Sequence, residues 1–174
     1  MEPLLVRNTI TFDAPAARVW DALVNPDQTR KYMFGCATVS DWKPGSPLLW
    51  EMMHEGNPYV PVKGTVLAYE PYTHLRYTVI DPNAAYPDIP ENHLVVSFDL
   101  RETSSGQTVL TVTQGGFEGA ADGARRYRDV YNNGEGWNPI LAQIKTIVEE
   151  EEEQTNREQG TGEPQKASYP AATH

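Results

Sequence analysis

A histidine at the end of an apolar strand is the residue in this chain best placed to take part in chemistry. Over residues 48–54 alternate side chains should point to one face of a strand, which puts Trp50, Met52 and His54 together. Glu51 should lie on the opposite face. An imidazole among apolar groups can orient a polar group of a ligand or act as an acid or base. A structural or solvent-facing histidine is the commoner outcome, so we treat His54 as a candidate ligand contact and assign no catalytic residue.

The other groups that could hold a metal or act as a nucleophile are scattered along the chain. The histidines His54, His74, His93 and His174 have no metal-ligand spacing with one another or with Cys36. Cys36 has no base beside it in the sequence, which is a weak setting for a catalytic thiol. We therefore expect no metal site and no cofactor.

Apolar and aromatic side chains recur at strand spacing through the middle of the chain and at helix spacing near its end. If the strands form a curved sheet facing the helix, these side chains surround the space between them and form a candidate wall for an apolar ligand. Taken singly, each is more often part of a plain core than a ligand contact. The predicted contacts are Trp50, Met52, His54, Tyr77, Phe98, Tyr127, Tyr131, Trp137 and Leu141.

The charge balance excludes some classes of partner. The 174 residues include 24 acidic and 14 basic residues, a net charge of -10, which repels phosphate backbones and anionic membrane surfaces. We expect neither a nucleic acid nor a membrane as partner. The single cysteine is typical of a reducing compartment, and no stretch approaches membrane-spanning length, so we expect a cytoplasmic protein.

The elements that must position the candidate residues are mostly strands. Alternation and turn residues predict strands at 4–12, 37–42, 48–54, 60–70, 75–80, 93–101 and 107–115. After the first strand, Pro15 predicts the start of a short helix with Asp13 as its cap, and residues 27–34 predict a second. The later strands follow one another without helices, which favours an antiparallel sheet. The first strand could form an exposed edge that supports a homodimer.

The end of the chain changes to the period of a helix. Apolar residues from position 121 to 148 follow helical spacing, with a kink or break expected at 134–136 and at Pro139. Residues 149–153 are all glutamates and should fray the helix end. We predict one domain over residues 1–153 and a disordered acidic and polar tail over 154–174.

An ordered series of motifs resembles a known superfamily. It comprises a strand with Ala-Pro and Val-Trp-Asp-Ala-Leu at 10–23, Trp-Lys-Pro-Gly at 42–45, strands at 63–66 and 70–78, a hairpin at 95–112, and Gly-Trp through Leu at 136–141. The series is similar to the START-like or SRPBCC superfamily, and within it to the activator of heat-shock-protein-90 ATPase homologue-like family. The resemblance implies an α+β helix-grip fold, in which a curved antiparallel sheet wraps around a long C-terminal helix and two short helices follow the first strand.

Three functions stay open at this point. We rank first the binding of a small hydrophobic or amphipathic ligand between the sheet and the C-terminal helix, with the proline-rich loop 81–92 and residues 32–34 as the rim. The family resemblance implies a second, a co-chaperone that regulates a heat-shock-protein-90 type ATPase in the stress response. Related enzymes of the superfamily imply a third, a cyclase-like or hydratase-like activity on an aromatic or polyketide substrate through His54 and a tyrosine.

Overall fold

The computed structural model describes residues 4–161, which form one seven-stranded antiparallel sheet with helices on its concave face. The strand order is β1-β7-β6-β5-β4-β3-β2. This is the predicted α+β helix-grip architecture. In chain order the elements are β1 Val6–Phe12, α1 Ala16–Val24, α2 Pro26–Tyr32, β2 Ala37–Ser40, β3 Pro47–His54, β4 Asn57–Glu70, β5 His74–Val79, β6 Leu94–Glu102, β7 Thr108–Gly115, α3 Gly123–Tyr131 and α4 Asn138–Thr161, with short 3₁₀ turns at Pro90–Asn92 and Asn132–Gly134.

The pleat of the strands sorts side chains between the two faces of the sheet. Burial alternates along β6 and β7, and every second residue is buried on the concave side. Cross-strand pairing then places Val66, Tyr77, Val96 and Gln114 in one row running from β4 to β7. This row crosses the middle of the concave face, and its two polar members are considered below.

The start of α1 differs from the prediction. Its N-cap position is Pro15, which has no side-chain cap, and the carboxylate of Asp13 instead accepts a hydrogen bond from Gln107. The amide of Ala16 donates to Glu102 Oε1 at 2.8 Å. The cap is therefore supplied by a residue distant in sequence, and the prediction that Asp13 caps the helix was wrong.

Helix α4 begins where the break in the helical pattern was expected. The chain turns through the 3₁₀ segment after α3, and Pro139 lies in the first turn of α4, where its missing N–H costs no hydrogen bond. The apolar stripe of Leu141, Ile144 and Val148 is almost fully buried in the core beneath the sheet. The predicted break is confirmed, and Pro139 starts the helix instead of bending it.

The same helix extends further than predicted. It continues to Thr161, whereas a disordered tail was expected from residue 154. Within the glutamate run, Glu151 accepts from Gln28 Nε2 at 3.0 Å and pairs with Lys31 Nζ at 3.5 Å, so the run is tied to α2 at this point. Residues 162–174, the rest of the predicted tail, lie outside the described residues. Over the described range, no helix has both the length and the apolar character needed to cross a membrane.

The sheet has two edges, β1 and β2. Strand β1 pairs only with β7 among the described strands, from Val6 opposite Gln114 to Phe12 opposite Thr108. Its outer edge thus has no strand partner within residues 4–161, and an exposed edge here is what the sequence predicted. The homodimer itself stays a prediction.

We predict that Gly64→Ala destabilises the fold by about 3 kcal/mol, because a Cβ at Gly64 would overlap the backbone carbonyl of Thr78 on the neighbouring strand. Gly119→Ala is the matched control, since a Cβ there meets nothing within 4 Å. Urea unfolding of both variants measures the difference. Equal midpoints for the two would contradict the close approach of β4 and β5.

Candidate functional site: an apolar cavity beneath the sheet

A cavity of about 430 Å³ lies on the concave face of the sheet. Strands β3 to β7 form its floor, the end of α2 and the segment after it form one side, and Trp137 just before α4 forms another. Its wall is almost entirely apolar. The lining residues are Met33, Phe34, Cys36, Trp50, Met52, Pro61, Val62, Tyr77, Val79, Val96, Gln114 and Trp137.

A series of aromatic rings runs along the cavity wall and behind it. The ring centroids of Trp50 and Tyr77 are 6.2 Å apart, and those of Tyr77 and Phe98 are 6.0 Å apart. Phe98 then meets Trp137 edge to face at 5.7 Å. Consecutive ring contacts of this kind hold large side chains in fixed orientations, so the wall is rigid where these rings form it.

Trp137 is held at two points. Its backbone N–H donates to Asn8 Oδ1 at 2.9 Å, and its indole Nε1–H donates to Gln114 Oε1 at 3.0 Å. The preceding Gly136 has a positive φ of 54°, and a Cβ there would overlap the Asn8 side chain. These contacts fix the indole at the end of the cavity, directly before α4 begins.

Three polar side chains reach the cavity wall. Burial raises the pKa of the Cys36 thiol and raises the pKa of the Tyr77 hydroxyl well above its usual range. Both groups are therefore neutral at physiological pH. The third is the uncharged amide of Gln114. Within the part of the chain that the structure describes, the wall contains no histidine, carboxylate, lysine or arginine.

Four of the nine predicted contacts line the cavity: Trp50, Met52, Tyr77 and Trp137. Two more lie close behind it. Phe98 touches the rings of Tyr77 and Trp137, and Leu141 is fully buried in the stripe of α4. The structure therefore places four of the predicted residues in the cavity wall and two more, Phe98 and Leu141, in the hydrophobic core.

The remaining three predicted contacts lie elsewhere. His54 pairs with Asn57 at the end of the β3–β4 hairpin, its side chain is 65% exposed, and its Nε2 lies 3.3 Å from Glu55 Oε2. Tyr127 and Tyr131 stack on each other on α3, with centroids 5.6 Å apart. The strand pattern could not show that β3 extends beyond the body of the sheet before it reaches His54.

The two predicted rim segments also separate. Met33 and Phe34 line the cavity, and the Phe34 side chain is 79% exposed at its mouth. The loop 81–92 does not line it. Asp88 and Pro90 from that loop instead border a groove on the outer face of the sheet.

A polar network fastens this loop to the outer face. The Thr78 hydroxyl and His93 Nδ1 are 2.8 Å apart, and His93 Nε2 is 2.7 Å from Asp88 Oδ1. Lys63 Nζ lies 2.5 Å from the other Asp88 oxygen. Hydrogen bonds from Lys63 and then His93 lower the pKa of the Asp88 carboxyl. Across the described residues, no group of three or more histidine, cysteine or acidic side chains is arranged to hold a metal ion.

Comparison with known proteins decides the family. The family model described as "Activator of Hsp90 ATPase homolog 1-like protein" (below, the AHSA1 family) matches residues 13–149, which is most of the chain. The chain belongs to the AHSA1 family. A Cytophaga hutchinsonii protein of known solution structure is 33% identical, with a TM-score of 0.65, and the match covers 87% of this chain and 98% of that one.

More distant solved structures share the fold. CalU16 from Micromonospora echinospora is 18% identical with a TM-score of 0.57, and the match covers 92% of this chain and 94% of that one. An Hsp90 activator from Plasmodium falciparum is 12% identical with a TM-score of 0.60, covering 83% and 96%. No curated protein matches this chain.

In this AHSA1-family chain, several wall residues are absent from the nine predicted contacts. Val79 and Val96 belong to the same alternating sets as Tyr77 and Phe98, and Val62 to an alternating set that the sequence also predicts to face the C-terminal helix, although the contact list does not include these three valines. Gln114 was missed because it is polar. The alternation along β7 does indicate that Gln114 faces inward, since it follows the buried positions Leu110 and Val112 at intervals of two.

We predict that Cys36, the single cysteine of this AHSA1-family chain, reacts with iodoacetamide at pH 8 at least about tenfold more slowly than glutathione. It is 5% exposed, and burial raises its pKa, so little thiolate is present or reachable. Mass spectrometry of the time course measures the rate, and the denatured chain is the control. A native rate equal to that of glutathione would place the thiol outside the cavity wall.

Proposed function

We propose that this protein binds a small, mainly apolar molecule in the cavity beneath the sheet. The observation that carries the proposal is a cavity of about 430 Å³ on the concave face whose lining is almost entirely apolar. Ligand pockets span about 300–1,000 Å³ and are lined mainly by hydrophobic and aromatic side chains. The size and lining of this cavity are those of a ligand pocket.

The position of the mouth supports entry of an apolar molecule. Phe34 is the most exposed large hydrophobic side chain of the described residues, and it borders the cavity beside Met33. An exposed aromatic ring at the mouth offers an apolar surface between solvent and the interior. The floor, in contrast, consists of strands that are paired with one another.

The chemistry of the wall favours binding over catalysis. Among the described residues, the titratable groups that line the cavity are Cys36 and Tyr77, and burial keeps both protonated. A protonated thiol is a poor nucleophile, and a neutral tyrosine with a strongly raised pKa is a poor base. His54, the proposed actor of an enzymatic function, is exposed at the end of the β3–β4 hairpin.

A chaperone partner is the second candidate function. It is supported by membership of the AHSA1 family and by likeness to the Plasmodium falciparum Hsp90 activator, which at 12% identity concerns the fold. The test is the ATPase turnover of a purified Hsp90 with and without this chain. Stimulation that saturates with added chain supports the candidate, and unchanged turnover at a large excess rejects it.

The cavity is tested with a valine-to-phenylalanine pair. We expect Val79→Phe to weaken binding of the neutral dye N-phenyl-1-naphthylamine by about tenfold or more, because Val79 lines the cavity and the added ring occupies it. Dye fluorescence in a titration measures the affinity.

Val39→Phe is the matched control, because Val39 lies on β2, is 46% exposed and does not line the cavity. It should bind the dye as the unmodified chain does. Circular dichroism and thermal unfolding establish that both variants are folded. No saturable dye binding by the unmodified chain, or equal affinity for the two variants, would remove the proposal.

A further inference from the structure

The cavity contains an amide whose orientation is determined by its neighbour. An indole N–H can only donate, so the bond from Trp137 Nε1 requires the oxygen of the Gln114 amide to face Trp137. The amide nitrogen of Gln114 is then left with two N–H groups. Gln114 is 6% exposed and lines the cavity, and Nε2 has no hydrogen-bond partner among the described residues. Among the described residues, the fully enclosed side-chain atom without a hydrogen-bond partner is Gln28 Oε1. Gln114 Nε2 has no partner either but is not fully enclosed, so it is reachable from the cavity.

A second donor stands two strands away in the same row. Tyr77 pairs with Val96, and Val96 pairs with Gln114, so the two polar side chains flank one apolar position on the cavity floor. The Tyr77 residue is 3% exposed, lines the cavity, and its hydroxyl has no hydrogen-bond partner among the described residues. Tyr32, which is similarly buried, shows the ordinary arrangement, because its hydroxyl donates to the carbonyl of Ala22 at 2.7 Å.

The charge of the wall limits what these donors can bind. Because the lining residues include no charged side chain, a carboxylate or ammonium group in the cavity would lose its hydration without gaining an opposite charge. A neutral oxygen loses far less. An amide N–H and a tyrosine O–H both donate to a carbonyl or hydroxyl oxygen.

We propose that the ligand of this cavity is an uncharged, mainly apolar molecule with a carbonyl or hydroxyl oxygen that accepts a hydrogen bond from Gln114 Nε2, with Tyr77 as a second donor. The inference rests on the proposed binding function and specifies the ligand class. It distinguishes neutral ketones, phenols and alcohols from fatty acids and other anions, which an apolar cavity alone does not do.

A series of three compounds of one shape tests the ligand class. The neutral ketone 2-acetylnaphthalene, its olefin isostere 2-isopropenylnaphthalene and the carboxylate 2-naphthoate are each titrated in competition with N-phenyl-1-naphthylamine. We expect the ketone to bind about five- to tenfold more tightly than the olefin, which corresponds to one net hydrogen bond. We expect 2-naphthoate to bind at least about a hundredfold more weakly than the ketone.

Two variants test the residues. In Gln114→Met the preference for the ketone over the olefin should fall to about twofold, because the amide donor is lost while the Tyr77 hydroxyl and the indole N–H of Trp137, which loses its acceptor, remain at the wall. Tyr77→Phe should reduce the same preference in part, and it leaves the ring contacts of Tyr77 with Trp50 and Phe98 in place. The matched controls are Gln143→Met and Tyr72→Phe, which change exposed residues outside the cavity and should keep the full preference.

Because the preference is a ratio of two affinities in one variant, a purely structural effect that weakens all ligands equally does not change it. Dye binding with equal affinities for ketone and olefin, or with 2-naphthoate as tight as the ketone, overturns the inference and leaves the binding function in place. Absence of binding by the dye and by all three compounds overturns the binding function itself. If Gln114→Met does not fold, the three-compound series on the unmodified chain and on Tyr77→Phe decides the question.

Discussion

The place where α4 begins determines how much of the concave face stays open. The stripe of Leu141, Ile144 and Val148 fills the space beneath the sheet, and the helix that carries it is fixed at its start by the two hydrogen bonds of Trp137. Gly136 allows the chain to pass close to Asn8 at this point. The cavity lies next to Trp137, on the part of the concave face formed by β3 to β7.

The sheet depends on close contacts of its own. Gly64 lets β4 approach the Thr78 carbonyl, while the Thr78 hydroxyl accepts a hydrogen bond from the amide of Thr65. The same hydroxyl contacts His93. His93 and Lys63 both contact Asp88, and these contacts hold the loop after β5 against the outer face of the sheet. The outer face therefore contacts the loop, and the inner face carries the row of paired residues that includes Tyr77, Val96 and Gln114. One stretch of β5, with Tyr77 facing inward and Thr78 outward, contributes to both.

The features that follow from local periodicity could be predicted from the sequence. Strand alternation and the motif order gave the helix-grip fold, and they placed Trp50, Tyr77 and Trp137 at the cavity. Features that depend on residues far apart could not be obtained in this way. The amide of Ala16 donates to the side chain of Glu102. Glu151 of the glutamate run accepts a hydrogen bond from Gln28 and forms an ion pair with Lys31, both on α2.

The misplacement of His54 and the omission of Gln114 have a common cause. Alternation reports the face on which a side chain lies, but it does not report where a strand leaves the body of the sheet. His54 has the correct phase and lies past that point. Gln114 also has the correct phase, and although it is the last residue but one of β7 it is paired on both sides, with Val96 of β6 and Val6 of β1. Position along the strand, which depends on the length of the neighbouring strands, separates the two.

The two polar groups on the cavity floor bear on the balance between stability and binding. A buried donor without a partner costs about 1–3 kcal/mol, a substantial part of the roughly 5–15 kcal/mol by which a domain is stable. Tyr77→Phe would avoid that cost at one position, whereas an apolar side chain in place of Gln114 would leave the indole N–H of Trp137 without its acceptor. Both donors belong to residues that are almost fully buried, in a domain whose core includes the fully buried Leu141 and Ile144 of α4. A ligand oxygen that accepts from these donors replaces a destabilising feature with a specific contact, which couples the stability of this domain to the occupancy of its cavity.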